Sequence, residues 1–293
     1  MRSNLTPGSL PVPAAGDFLR LGALVARYRQ SFLVRKVAGF CRRYLGWYGN
    51  FSYDLRTNGE AFVLETLGSF QPRVLFDVGA NVGEWSIVAK AHCPGAEVHA
   101  FEIAKPTFEI LVANTGHLPG MHCQNVGLSD VAGPIRIRYY AALPALTTST
   151  DYPHPLAFTE LGAEVVTGDE YAARHGIEHI DLLKIDVEGM EEQVLNGFQR
   201  MLARKAVDLV QFEYGRVSIV NRFLLRDFCN FFRERDYVVG KVFPNYVDFR
   251  DYELEDEDFM GPNFLACREE KAEYLQALCG APRRSPTRPV NTT

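Results

Sequence analysis

The sequence lacks the features that would tie the chain to a cysteine-bound metal, a membrane span or a nucleic acid. Its six cysteines are scattered without a C-x-x-C pair, which argues against a cysteine-based zinc site and fits reduced thiols. No apolar run approaches the roughly 18 residues that cross a bilayer, and residues 1–16 lack the apolar stretch of a secretory signal. The net charge of -5 argues against a nucleic-acid footprint. We therefore expect a cytoplasmic protein with no nucleic-acid partner.

The overall composition is that of a globular protein. The chain has 293 residues, 47% of them hydrophobic and 23% charged, which suits one large domain with extensions. We predict disorder for residues 1–16, a helical N-terminal extension for 17–70, and the main domain for 71–270. Residues 271–293 are predicted to form a largely disordered tail, since their end is rich in proline and arginine.

The segment from Asp17 to Tyr48 has the pattern of an amphipathic helix. Apolar residues recur there at spacings of three and four, and seven basic residues lie between Arg20 and Arg43. Such a helix packs its apolar stripe on the main domain or on a second copy of the chain, forming a homodimer. Alternatively, its basic charge lets it lie on an anionic membrane surface as a peripheral contact. Both interpretations stay open.

Strands and helices alternate from Pro72 onward. Helical patterns separate most of the predicted strands, which comprise residues 73–78, 97–102, 121–126, 180–186, 207–213, 237–243 and 263–268, and residues 135–140 are predicted to form an additional strand. This alternation predicts a Rossmann-like α/β fold with a mostly parallel, seven-stranded sheet. The last two strands have no convincing helix between them, so we expect them to form an antiparallel edge pair. Residues 141–162 show little periodicity and are predicted to be an irregular loop.

The segment V-L-F-D-V-G-A-N-V-G-E-W, residues 74–85, carries the strongest signal. An apolar strand ends at Asp77, and Gly79 and Gly83 flank a tight turn into a helix, where glycine lets a ligand approach the backbone. Glu102 ends the next strand, which is where an acidic side chain reaches a ribose diol. Because ligands of open α/β sheets lie beyond the carboxyl ends of the strands, these residues predict a nucleoside-binding crevice.

The chemistry of the turn favours S-adenosylmethionine over a dinucleotide. The turn lacks the third glycine of a dinucleotide fingerprint, and Glu84 stands at the helix start, where a pyrophosphate would bind. A carboxylate there tolerates an amino group and a sulfonium cation. An NAD(P)-dependent oxidoreductase and a turn whose glycines serve only packing remain the alternatives.

A second group of carboxylates follows the later strands. The segment D-L-L-K-I-D-V-E-G-M-E, residues 181–191, brings Asp186 and Glu188 to the crevice edge, and Glu213 ends the adjacent strand. Three neighbouring carboxylates are costly unless they are paired, protonated or bound to a cation, so we interpret them as functional. A structural ion-pair network with Lys184 is the alternative.

Together these segments resemble the FkbM family of methyltransferases, with F-D-V-G-A-N-V-G-E-W, F-E at 101–102, N-V-G-L-S-D at 125–130 and K-I-D-V-E-G-M-E at 184–191. The resemblance covers roughly residues 50–270. It implies a class I methyltransferase fold, S-adenosylmethionine as cofactor, and O-methylation of a small-molecule or glycan acceptor such as a sugar or polyketide-type product. It also implies a set of cofactor-site residues, with Leu128 and Ser129 near the adenine: Asp77, Gly79, Asn81, Gly83, Glu102, Leu128 and Ser129.

An alcohol acceptor needs a base or a cation, because it is a poor nucleophile at neutral pH. We hypothesise that Asp186, with Glu188 or Glu213, accepts the hydroxyl proton, or that Asp186 and Glu213 bind Mg²⁺. Among the histidines, His154 in the 141–162 loop is the most plausible alternative base, and this loop could cover the substrate. A catalytically silent nucleoside-binding module, attached to a membrane or partner through the basic helix, is the competing interpretation.

Overall fold

A computed structural model describes residues 15–260 and 262–280, with side chains from residue 19. The chain divides into two units at Tyr48. The first contains helices α1 (Ala15–Arg27) and α2 (Phe32–Tyr48). Because α1 already begins at Ala15, the predicted disordered segment is too long by two residues, and its residues 1–14 lie outside the described residues. The predicted extension is also too long, since residues 49–70 belong to the second unit.

The second unit alternates strands and helices in the predicted order. Its helices are α3 (Glu60–Gly68), α4 (Glu84–His92), α5 (Lys105–Thr115), α6 (Gly168–Arg174), α7 (Glu191–Asn196), α8 (Gln199–Ala203), α9 (Val217–Asn221), α10 (Leu225–Arg233) and α11 (Ala272–Leu278). Its strands are β1 (Val74–Val78), β2 (Glu97–Phe101), β3 (Met121–Gln124), β4 (Gly127–Leu128), β5 (Gly133–Tyr139), β6 (Thr159–Val166), β7 (Ile180–Ile185), β8 (Val207–Glu213), β9 (Tyr237–Phe243), β10 (Tyr246–Phe249) and β11 (Asn263–Arg268). The predicted Rossmann-like α/β architecture is confirmed.

The main sheet has eight strands in the order β10-β9-β11-β8-β7-β1-β2-β3. Strands β3, β2, β1, β7 and β8 pair in parallel, whereas β11, β9 and β10 are antiparallel to their neighbours. The predicted count of seven strands is therefore wrong by one. The missed strand is β10, which pairs with β9 across a tight connection, so that the antiparallel edge has three strands rather than two.

A smaller sheet lies beside the main one, with the order β4-β6-β5. Strands β5 and β6 pair antiparallel over their whole length, from Gly133–Val165 to Tyr139–Thr159. The segment between them was predicted to be an irregular loop. The predicted loop, residues 141–162, contains one 3₁₀ turn at Pro144–Leu146, and its last residues, from Thr159, belong to β6.

The two faces of the main sheet build two hydrophobic clusters. Successive strand residues point to opposite faces, so Phe76 packs in one cluster with α6, α7, α8 and α10, and Leu75 packs in the other with α3, α4 and α11.

The contacts of α3 and α11 correct the predicted boundaries at residues 70 and 271. Val63, Leu64 and Leu67 of α3 and Tyr274 and Leu278 of α11 are buried, so the main domain includes both helices. Residues 281–293 of the predicted tail lie outside the described residues.

None of the helices described over residues 15–260 and 262–280 is both long and apolar enough to cross a bilayer. All six cysteines fall within these ranges and are free thiols. Cys93 and Cys267 are buried, whereas Cys41 and Cys279 are exposed.

Candidate active site

The turn after β1 brings two strand ends into direct contact at Gly79. This residue has φ +81°, and a Cβ added to it would lie 1.8 Å from the backbone oxygen of Asp186, just after β7. Its N–H donates to the Phe101 carbonyl at the end of β2, over 3.0 Å. Only glycine fits, because both the backbone conformation and the space exclude a side chain. The turn thus holds the ends of β1, β2 and β7 together.

Gly83 serves the packing of two helices. It precedes α4 with φ +91°, and an added Cβ would lie 2.5 Å from Thr115 Cγ2 and 2.9 Å from Leu111 Cδ1, both on α5. Gly83 lines neither of the two cavities described below. The cavity linings therefore give no support to the expected place of this residue in the cofactor site, and its close contacts fit the packing alternative.

Glu102, which follows β2, is a buried carboxylate held by the backbone. Its two oxygens accept hydrogen bonds from the N–H groups of Asn81, over 3.0 Å, and Ala104, over 2.8 Å. Burial raises the pKa of Glu102 to about 7, although these two hydrogen bonds oppose the shift. The amide oxygen of Asn81 is also buried, and it has no hydrogen-bond partner within the described residues.

An apolar cavity of about 690 Å³ lies between these strand ends and the small sheet. Its walls include Val78, Phe101 and Ile137, and residues 144–149 contribute one side. Five of the seven predicted cofactor residues line it: Gly79, Asn81, Glu102, Leu128 and Ser129. We call it the apolar cavity.

Asp77, the sixth predicted cofactor residue, lies beneath the cavities rather than in them. It is fully buried, accepting a hydrogen bond from Ser86 Oγ over 2.8 Å and pairing with Lys184 Nζ over 3.2 Å. The same ammonium group lies 3.2 Å from Asp186 Oδ2. Burial would lower the pKa of Lys184, but the charges of Asp186 and Asp77 raise it above its ordinary value. Any effect of Asp77 on a ligand therefore passes through Lys184 or Ser86.

The three predicted catalytic carboxylates do converge. One oxygen each of Asp186, Glu188 and Glu213 lies within 4.8 Å of the others. Burial would raise the pKa of Asp186, but the Lys184 ammonium and a hydrogen bond with Glu213 hold it below its ordinary value. Burial and the charge of Asp186 raise the pKa of Glu213 well above the usual range. Asp186 is therefore ionised at neutral pH, whereas Glu213 loses its proton less readily than an ordinary glutamate.

Glu188 occupies a strained turn between β7 and α7. Its φ is +52°, which is uncommon for a residue with a side chain. Burial and the charge of Asp186 raise its pKa to about 8. Glu191 stabilises the turn by accepting the N–H groups of Val187, over 3.2 Å, and Gly189, over 3.1 Å. This role was not predicted from the sequence, although an acid in the first turn of a predicted helix is a recognisable capping signal.

A second, acidic cavity of about 890 Å³ opens next to the apolar one. The two cavities share Gly79, Asn81, Ala145, Asp186 and Glu188. Five carboxylates line the acidic cavity: Glu60, Glu84, Asp186, Glu188 and Glu213. Asp186 and Glu188 therefore stand where the two cavities meet.

The wall of the acidic cavity that precedes β1 was not predicted from the sequence either. Tyr53, Asn58 and Glu60 line the acidic cavity, although this segment was assigned to the N-terminal extension. Glu60 accepts hydrogen bonds from Asn58 over 2.8 Å, from Gln211 over 2.8 Å and from Asn263 over 3.2 Å. Burial raises the pKa of Glu60. A helical pattern runs from Gly59 to Leu67 in the sequence, but no motif there indicates a contribution to the site.

His154 lies outside both cavities, so the structure gives no support to its role as a base. Its ring packs against Tyr140 with centroids 5.6 Å apart, and Nδ1 accepts the N–H of Leu156 over 3.2 Å. Other residues of the same loop do reach the site. Thr147, Thr148 and Ser149 line the apolar cavity, and Thr148 Oγ1 donates to the Glu188 carbonyl over 2.7 Å.

Comparisons with known proteins find related methyltransferases. The family model described as the methyltransferase FkbM domain matches residues 77–239, more than half of the chain. The 31-O-demethyl-FK506 methyltransferase FkbM of Streptomyces tacrolimicus is 32% identical over 154 residues, which cover 43% of this chain and 59% of that protein. The hexuronic acid methyltransferase AglP of Haloferax volcanii is 26% identical over 235 residues, covering 76% of this chain and 92% of that protein.

Among solved structures, the methyltransferase FkbM of Methylobacillus flagellatus KT superposes with a TM-score of 0.42 at 16% identity, covering 67% of this chain and 44% of that one. The chain spans about three fifths of the length of the Streptomyces relative.

Proposed function

The chain belongs to the FkbM methyltransferase family, and on that premise we propose that it transfers a methyl group from S-adenosylmethionine to a hydroxyl oxygen of a sugar, glycan or polyketide-type acceptor. One observation carries the proposal. An ionised carboxylate, Asp186, stands at the junction of an apolar cavity that ends in Glu102 and an open acidic cavity.

The residues of the apolar cavity fit the adenosyl cofactor. Its lining is mostly apolar with a few polar groups, as is usual for small-molecule sites. Glu102 offers carboxylate lone pairs for a ribose diol, and the buried oxygens Asn81 Oδ1 and Thr147 Oγ1 lack partners within the described residues. Glu84 stands at the start of α4 and opposes a pyrophosphate there. When bound, S-adenosylmethionine supplies a methyl group that its sulfonium already activates.

Asp186 is the residue that we assign to the acceptor proton. As the new bond to carbon forms, the hydroxyl oxygen gains positive charge and its proton becomes strongly acidic. A carboxylate with a low pKa can then take that proton, provided that it is ionised beforehand. The Lys184 ammonium keeps Asp186 in that state.

The predicted Mg²⁺ site at Asp186 and Glu213 is the less favoured arrangement. An ion there needs both groups as carboxylates, whereas burial and the charge of Asp186 disfavour the ionised form of Glu213, and Asp186 Oδ2 already pairs with Lys184. The proton-acceptor assignment needs neither change.

Calorimetric titration tests the cofactor assignment. We expect the wild-type chain to bind S-adenosylmethionine and its demethylated product but not NAD⁺. At pH 8, where Glu102 with its pKa of about 7 is ionised, Glu102→Gln should weaken both adenosyl ligands about 10- to 100-fold. The reason is that the carboxylate's hydrogen bonds to the ribose become neutral ones.

Glu97→Gln is the matched control, because Glu97 begins the same strand and is exposed. Its affinities should equal those of the wild type. Binding of NAD⁺ alone would point to an oxidoreductase, and adenosyl affinity that Glu102→Gln leaves unchanged would remove Glu102 from the site.

The charge of the acidic cavity favours a neutral or cationic acceptor. Lys184 is the one basic side chain among its described lining residues, and it is already paired with Asp77 and Asp186. An acceptor carboxylate or phosphate would therefore meet carboxyl groups and no free cation. The expected acceptor therefore differs from the one in the name of the AglP relative, which is a hexuronic acid.

Matched acceptors test the charge preference. Among a neutral pyranoside, its 6-carboxylate and its 2-amino derivative, we expect release of demethylated cofactor with the neutral or amino compound. The carboxylate should react at least about tenfold more slowly, since like charges repel across a desolvated site. Equal or faster turnover of the carboxylate contradicts the preference.

A further inference from the structure

Helix α2 is amphipathic, with a stripe of apolar side chains along one side. Leu33, Val37, Phe40, Tyr44 and Trp47 follow one another at spacings of four and three, which places them along one side of the helix. Of the basic residues of α2, Arg35 and Arg42 fall on the opposite side, whereas Lys36 and Arg43 border the apolar stripe, four residues before Phe40 and Trp47 respectively. Large apolar side chains thus line a stripe that cations border.

The apolar side is uncovered. No residue of α2 is buried, and Leu33, Phe40 and Trp47 are 71%, 63% and 65% exposed. A helix of this length owes most of its stability in water to the packing of its apolar face. Helix α1 of the same unit leaves this face exposed, so we expect another surface to cover it.

The charge of the segment identifies that surface. Residues 19–48 carry seven basic side chains and no acidic one, although the whole chain has a net charge of -5. The remaining residues therefore sum to a strongly negative charge. Such a local excess of arginine beside aromatic and aliphatic residues is typical of helices that lie in the interface of an anionic bilayer.

We propose that α2 docks on an anionic membrane surface, with its apolar side at the acyl boundary and the basic residues that border it among the lipid headgroups. The helix lies on the bilayer and does not span it. A second copy of the chain is a poorer occupant. Two such helices would bring their cations together, and neither supplies the acidic residues that pair with basic ones at helix–helix contacts.

Vesicle binding by the full chain tests this inference independently of the methyltransferase activity. We expect co-sedimentation with vesicles containing about 30% phosphatidylserine, much less with pure phosphatidylcholine, and loss in high salt. Brominated acyl chains should quench the fluorescence of Trp47. The other tryptophan, Trp85, is buried, so Trp47→Phe should abolish quenching while binding persists.

Neutralising the basic residues measures their contribution. Replacing Arg35, Lys36, Arg42 and Arg43 by Gln should weaken binding about 100-fold or more. The matched control, with the same charge change on exposed residues of the second unit, should bind as the wild type: Lys105, Arg136, Arg174 and Arg204. Equal binding to both vesicle types, or no effect of the four α2 substitutions, overturns the proposal. The proposal is also overturned if vesicles do not sediment the chain and the chain instead forms a lipid-free dimer that Val37→Asp dissociates.

Discussion

Asp186→Asn should lower kcat by about two to four orders of magnitude while S-adenosylmethionine binds with nearly unchanged affinity. Asparagine keeps the shape of the side chain but cannot accept the acceptor proton. The wild-type carboxylate is ionised at neutral pH because Lys184 lies 3.2 Å away. Single-turnover rates with a reactive acceptor and calorimetry with the cofactor together separate the two effects. Undiminished turnover would falsify the proton-acceptor role.

The control for this substitution is Asp236→Asn, which breaks an exposed ion pair with Lys205 and should leave turnover unchanged. Assays in EDTA and in Mg²⁺ then decide between the two roles of Asp186. We expect the same wild-type rate in both. A rate that vanishes in EDTA and returns with Mg²⁺ instead assigns Asp186 and Glu213 to an ion.

Much of this site could be predicted because its signals are local. A few neighbouring residues are enough to recognise an apolar strand, a glycine turn or an acid at the end of the next strand. Parallel strands then bring their carboxyl ends to one edge of the sheet. The structure accordingly brings Gly79, Glu102 and Asp186 together as predicted.

The rest depends on contacts between distant parts of the chain. Glu60 enters the site because α3 packs against the same core as β1, and Gln211 and Asn263 then hold its carboxylate. The sequence pattern is that of a ligand-binding glycine at Gly83, yet the residues that leave no room for a side chain there lie on α5, more than 25 residues away. His154 was a candidate base because it lies in the 141–162 loop, and only the tertiary structure shows that it packs beside Tyr140, away from the cavities.

Lys184→Met should destabilise the fold by about 3–5 kcal/mol, the usual cost of removing one partner from a buried ion pair. The ammonium group is buried, and its loss leaves the fully buried Asp77 carboxylate with only the Ser86 hydroxyl. Urea unfolding measures the change. Lys205→Met, which breaks a surface pair, should cost less than about 1 kcal/mol. A double variant with Asp77→Asn should recover part of the loss, because no unpaired charge then remains at that position.

The same substitution should make stability and activity depend on pH in opposite directions. Without the ammonium group, burial is the dominant influence left on Asp186, so its pKa rises above the ordinary value. The folded variant then holds a proton that the unfolded chain has released, and its free energy of unfolding falls as pH rises through this interval. Activity should rise over the same interval, because the proton acceptor becomes ionised. Parallel pH profiles in wild type and variant would show that Lys184 does not control the ionisation of Asp186.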